Sequence, residues 1–186
     1  LVRHTFLQDF VAVPHMSNLY QRWYKERHAS FHYVSSSPWQ LYSELALFLQ
    51  SAGFPPASSF SLKSIRLKDR SLLNLFADPM VSKLAKISSV LETYPQRTFV
   101  LVGDTGERDP EVYGEICRQY PNQVERVFLR DVISGLSEEV LQTLKVKQEK
   151  KKRGIVLNAP DRLEKAFDGV SPETWSVFTN VKEINY

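Results

Sequence analysis

Residues 98–102 (Thr-Phe-Val-Leu-Val) form an uninterrupted β-type apolar run, and no other feature constrains the fold as much. An alternating run would leave one face to water, whereas a continuous one is expected of a central parallel strand buried on both faces. Helical patterns flank it: residues 81–94, with Leu84, Ile87, Val90 and Leu91 facing inward, and residues 109–120. Residues 31–34, 61–67 and 124–129 read as further strands. Residues 17–27 read as a helix capped by Ser17. A second helix opens at Pro38 behind a capping box on Ser37, with Leu41, Leu45, Phe48 and Leu49 as its apolar face, and ends at Gly53. Strand and helix alternate from residue 31 to 130, which predicts an α/β fold with a doubly wound, mostly parallel sheet. Beyond it, residues 137–152 and 161–167 read as helices, and residues 171–178 as part of a tail of short helices docking aromatic side chains.

In such a fold, ligands bind outside the carboxyl ends of the strands. Three segments therefore draw the search for chemistry. After residue 102 the chain reads Gly-Asp-Thr-Gly-Glu-Arg-Asp-Pro, so the apolar run empties into a loop rich in acids and glycine. Carboxylates there suit a hard divalent cation such as Mg²⁺, which takes oxygen ligands and keeps several waters. Asp104 is assigned that role, because a carboxylate at the mouth of a buried strand is costly without a partner. Asp109 can cap the following helix whether or not it also serves the metal. Ser35 follows the strand at 31–34 directly, and two readings of it stand open: a donor to a phosphoryl oxygen, or a plain serine turn. Lys83 lies near the start of a helix, where its charge opposes the macrodipole. It reads either as a solvated surface lysine or as a neutraliser of phosphate charge, with Lys86 as its competitor.

Composition excludes several classes. One cysteine, Cys117, permits no intrachain disulfide; it reads as a small core residue in a reducing, cytoplasmic setting. No apolar run reaches the roughly 20 residues of a membrane helix. The four histidines lack metal-ligand spacing, and neither a Gly-x-Ser-x-Gly elbow nor a phosphate-binding P-loop occurs. The net charge of +3 owes part of its excess to residues 145–153 (Lys-Val-Lys-Gln-Glu-Lys-Lys-Lys-Arg). That stretch reads as the solvated end of a helix; its functional alternative is peripheral contact with an anionic membrane. No aromatics interleave with the lysines, so no nucleic-acid partner is expected. The sequence opens on Leu-Val-Arg-His, with neither Met nor a signal-peptide pattern, and is expected to start inside a longer protein.

Several strings carry a family resemblance: residues 33–42 (Tyr-Val-Ser-Ser-Ser-Pro-Trp-Gln-Leu-Tyr), Phe54-Pro55, Leu67-Lys68-Asp69, Ser82-Lys83, and residues 99–113 (Phe-Val-Leu-Val-Gly-Asp-Thr-Gly-Glu-Arg-Asp-Pro-Glu-Val-Tyr). Together, over about residues 4–131, they resemble the catalytic domain of the actin-patch-protein phosphatidate phosphatases. That family is related to the lipins, within the haloacid-dehalogenase-like superfamily. The resemblance implies a Rossmann-type fold and an Mg²⁺-dependent phosphatase acting on a phosphorylated substrate, a phosphatidate-like lipid, through an aspartyl-phosphate. It places the superfamily's strand-end serine on Ser35, its lysine on Lys83 and its paired acids on Asp104 and Asp109, the last two as metal residues. Thr105 stands where the family often has serine, and His15 where glycine is expected. The superfamily's nucleophilic Asp-x-Asp pair has no counterpart in these residues, and Asp9 has no strand before it. The expected organisation is a catalytic domain over residues 1–136, without its nucleophile segment and first strand, and a helical tail over 137–186. A chain so cut is expected to be poorly stable alone. Two function classes follow: a phosphatase whose nucleophile lies upstream, or a catalytically inactive scaffold that binds phosphate or a protein partner.

Overall fold

The computed structural model describes residues 10–63, 79–132, 134, 136, 137, 139, 140 and 161–186. The chain divides into two units, Leu1–Leu75 and Phe76–Tyr186. The expectations for residues 64–67, for Leu67-Lys68-Asp69 and for most of the helix and basic stretch at 137–153 lie outside the described residues.

The first unit contains α1 (Met16–Glu26), β1 (Phe31–Pro38), a 3-10 turn (Trp39–Leu41), α2 (Tyr42–Ser51) and β2 (Ala57–Lys63). Strands β1 and β2 pair in parallel, with Phe31 opposite Ala57 and Val34 opposite Ser61. An aromatic cluster joins helix to sheet. Tyr20 stacks on Trp23 and on Phe31, with ring centroids 5.6 and 4.9 Å apart, and meets Phe54 edge-on at 5.6 Å. Burial raises the pKa of the Tyr20 phenol, and pushes that of Tyr33 up to about 12. Two start signals fail here. Ser17 lies inside α1, whose N-cap is His15 in the left-handed region (φ 65°). Ser37 caps nothing: Pro38 precedes the 3-10 turn, no side chain bonds to that turn's start, and α2 begins only at Tyr42.

The second unit contains α3 (Pro79–Thr93), β3 (Phe99–Asp104), α4 (Asp109–Gln119), β4 (Val124–Arg130), α5 (Arg162–Ala166), β5 (Trp175–Phe178) and 3-10 turns at Pro172–Thr174 and Val181–Glu183. All described strand pairings are parallel, in a two-stranded sheet and a three-stranded sheet of order β3-β4-β5. The expected α/β class with parallel strands is therefore observed.

Two details differ from expectation. Residues 175–178 form a strand rather than part of a helix, with Val127 opposite Trp175 and Arg130 opposite Phe178. Among the described residues, β4 rather than β3 has a strand on each side. The burial agrees: Val124, Val127, Phe128 and Leu129 of β4 are buried, but only Leu101 of β3. Helix α3 turns Ile87 and Leu91 inward, and α4 turns Val112, Ile116 and Cys117. Burial pushes the Cys117 thiol up to about 11, in keeping with a packing role. Among the described residues, no helix is long and apolar enough to cross a membrane.

Candidate active site

Strand β3 delivers Gly103 and Asp104 to its carboxyl end, where the chain leaves the sheet. Thr105 fastens the exit. Its N–H donates to the Arg130 carbonyl at 2.9 Å, and its Oγ1 accepts from the Val132 N–H at 3.1 Å. The turn that follows closes on a side chain: Asp104 Oδ1 accepts from the Gly106 N–H at 2.8 Å, an Asx-type turn. Helix α4 then starts, with Arg108 as its N-cap and no side-chain cap.

Asp109 thus occupies the first helical position and does not cap, contrary to the sequence reading. Its carboxyl points back towards the strand end. Oδ1 accepts from Lys83 Nζ in a buried ion pair, and Oδ2 accepts from the Asp104 N–H at 3.3 Å. The residue is only 5% exposed. Burial raises its pKa, the neighbouring Asp104 charge adds to that, and Lys83 and the Asp104 N–H pull the other way. Desolvation outweighs the ion pair, so the direction is upward. Lys83 reaches the site from α3, with its ammonium 6.0 Å from the centroid of the Tyr113 ring.

Gly103 makes this closeness sterically feasible. A Cβ there would run into the Asp109 carboxylate and approach the Tyr113 ring to 2.8 Å. Tyr113 in turn donates its hydroxyl to the Val102 carbonyl at 2.9 Å, tying α4 to β3. The side chains after the strand are therefore set by the Lys83 ammonium from α3 and by backbone groups of β3 and the turn that follows it.

Lys83, Asp104 and Asp109 are brought together at the carboxyl end of β3, as the position rule for such sheets anticipates. Ser35 belongs to the first unit. There it lies in β1 just past Val34, where the regular pairing breaks before Pro38, and its Oγ accepts from the Ser37 N–H at 3.1 Å. That bond is the local serine turn; its role towards a ligand stays a proposal.

Among the described residues, no group of three or more His, Cys, Asp or Glu gathers as a metal cluster. Mg²⁺ does not need one, since it is typically held by one or two carboxylates with waters and substrate phosphate. The pair present fits that donor set. Two interacting carboxylates raise the cost of ionising both, and a cation between them and a phosphate would offset it. Both oxygens of Asp109 already accept hydrogen bonds, so Asp104 suits the ligand position and Asp109 the supporting one.

Sequence reasoning missed Arg162. It is buried at 6% exposure, and its guanidinium bonds to Glu111 and to the carbonyls of Thr105 and Glu107. These contacts span 51 to 57 residues, and nothing local in Asp161-Arg-Leu-Glu signals them. Glu111 and Tyr113 lie within residues 99–113, where nothing local assigns either of them a role.

The model of one protein family, described as the catalytic domain of phosphatidate phosphatase APP1, matches residues 1–131. Phosphatidate phosphatase APP1 of Saccharomyces cerevisiae is 36% identical over 124 residues, 62% of this chain and 20% of that protein. An uncharacterized protein of Schizosaccharomyces pombe is 32% identical over 106 residues, 57% of this chain and 17% of the relative. The chain spans about a fifth of the length of these curated relatives. No solved structure matches it.

Proposed function

The chain belongs to the family of the phosphatidate phosphatase APP1 catalytic domain, and from that membership we propose that it is the core of an Mg²⁺-dependent phosphatase acting on a phosphatidate-like lipid phosphate. The observation that carries this reading is the joined set Lys83–Asp109–Asp104 at the carboxyl end of β3, inside the matched residues.

The attacking group in this reading is a carboxylate distinct from Asp104 and Asp109. Its oxygen attacks phosphorus, the P–O bond to the lipid alcohol breaks, and the alcohol leaves with a proton from a general acid. Water then cleaves the aspartyl-phosphate, releasing inorganic phosphate and regenerating the carboxylate. Asp104 would hold Mg²⁺, directly or through water, and Asp109 would support that site; the bound ion would supply positive charge against that developing on the phosphoryl group. Lys83 shares its ammonium between Asp109 and a phosphoryl oxygen. Ser35, just past Val34 in β1, is proposed as a donor to a phosphoryl oxygen. Tyr113 and Gly103 keep the acids in register. A peripheral contact of residues 145–153 with anionic lipid would bring the site to its substrate, in a cytoplasmic setting.

The test uses the product of the complete reading frame, phosphatidate in detergent micelles, and phosphate release with Mg²⁺ or with chelator. Release that needs Mg²⁺ and falls about a hundredfold in Asp104→Asn is expected. Turnover of that variant within severalfold of the parent sinks the metal assignment. If the complete reading frame adds no Asp-x-Asp pair and no phosphate is released, the protein is instead a binding scaffold.

A further inference from the structure

The loop that separates the two aspartates is held from outside the matched region. Arg162, at the start of α5, lies 31 residues past the last matched position, 131. One side-chain nitrogen, Nη1, donates to the Thr105 carbonyl at 2.7 Å. Nη2 donates to the Glu107 carbonyl and to Glu111 Oε2 at 3.0 Å, and Nε donates to Glu111 Oε1 at 2.7 Å. The carbonyls belong to the turn between Asp104 and Asp109, and Glu111 sits in the first turn of α4 next to them. One planar fork thus grips both ends of the same loop.

Helix α5 is itself fixed on α4. Gly114 lies so close to the Ala166 carbonyl that a Cβ could not be accommodated. One turn further along α4, Arg118 Nη1 donates to the Ala166 and Asp168 carbonyls at 3.1 and 2.9 Å. Gly114, Arg118 and Arg162 therefore dock the short helix so that the guanidinium arrives at the loop already oriented. A lysine could neutralise Glu111, but its single ammonium lacks the planar, multi-donor geometry that meets two carbonyls and a carboxylate at once.

We propose that Arg162 is a positioning residue of the phosphatase site: its guanidinium fixes the turn 105–107, and so sets the separation of Asp104 from Asp109. The inference rests on the functional reading above for its catalytic meaning, but the claim about the loop stands on these contacts alone. It follows that the working site includes the tail as well as residues 1–131.

The direct test is backbone amide exchange, read by NMR on the full chain without metal, for the parent, Arg162→Lys and Glu111→Gln. In Arg162→Lys the Asp104 and Gly106 amides, which donate to the two carboxylates, are expected to exchange about tenfold faster or more. Core amides of β3 and β4, such as Leu101 and Val127, keep their protection. Glu111→Gln keeps an acceptor for the fork and loosens the loop less. If loop amides are unchanged, or speed up only in parallel with the core amides, Arg162 is a general stabiliser and the proposal is overturned.

A second readout uses the complete protein. The Mg²⁺ concentration giving half-maximal phosphate release is expected to rise about tenfold in Arg162→Lys, with KM for a soluble aryl phosphate little changed. An unchanged Mg²⁺ requirement also overturns the proposal. If the parent releases no phosphate at any Mg²⁺ concentration, the phosphatase reading fails, and the amide result still decides the claim about the loop.

Discussion

Lys83 and Asp109, 26 residues apart, meet in an ion pair that joins the second turn of α3 to the first turn of α4, with side-chain exposures of 15% and 7%. The pair fixes where Asp109 points, and burial keeps it out of reach of solvent screening. Lys83→Met would leave the carboxylate desolvated with only the Asp104 N–H as a donor. A stability loss of about 3 kcal/mol is expected, as for other broken buried pairs, together with loss of phosphate release. Denaturant melts and turnover measured side by side check it.

Gly103→Ala tests the close approach at the strand end. The added methyl must displace the Asp109 carboxylate, and it presses on the Tyr113 ring as well. A loss of about 1–3 kcal/mol is expected from overpacking. Because the displaced group is Asp109, turnover should fall further than the stability loss accounts for. A variant that melts lower and yet turns over at the parent's rate would contradict the placement of Asp109.

Gly114→Ala should act against helix propensity. In an exposed helix interior this change stabilises by about 1 kcal/mol. Here the methyl meets the Ala166 backbone carbonyl, and backbone cannot swing aside as a flexible side chain can. Net destabilisation is expected, with undocking of α5 seen as faster amide exchange at Phe167 and Val170, whose N–H groups bond within that turn. A more stable variant would show that α5 is not held against α4.

His32 predicts a pH dependence in the first unit. Burial lowers its pKa from the ordinary value, and its Nδ1 lies 2.8 Å from Ser59 Oγ across the β1–β2 pair. Between the lowered folded value and the unfolded value of about 6.5, the unfolded chain carries more protons. Stability therefore rises with pH through that window, and is lost as pH falls below the unfolded value. Denaturation midpoints taken from about pH 7.5 to about pH 5.5 should decline, and His32→Asn should flatten the decline.

The sequence disclosed what depends on local pattern. The period of apolar residues placed α3, α4, β3 and β4 to within a few residues, and the rule for strand ends led to Asp104 and to the loop after it. The side-chain roles that failed were decided by tertiary contact. Asp109 looked like a cap because Asp-Pro opens helices; burial beside Lys83 and the Asp104 N–H gave its carboxyl another partner. Ser37 looked like a cap because Pro38 follows it, but β1 continues through Pro38 and the helix starts later. The apolar run of β3 suggested the central position, yet β4 holds it among the described strands, because a four-residue tail strand adds to β4. Arg162 was beyond reach for the same reason. Its partners are backbone carbonyls and one carboxylate more than fifty residues away, and a carbonyl leaves no mark in an amino-acid sequence.

Strand β5 has a consequence for synthesis. On the ribosome the chain emerges from its amino end, so β4 is out about 45 residues before the strand that will cover its edge. Until residues 175–178 clear the exit tunnel, β4 presents an unpaired row of backbone donors and acceptors, a template for the strands of neighbouring nascent chains. Truncation between residues 131 and 174 should therefore yield aggregates in place of a shortened, folded chain.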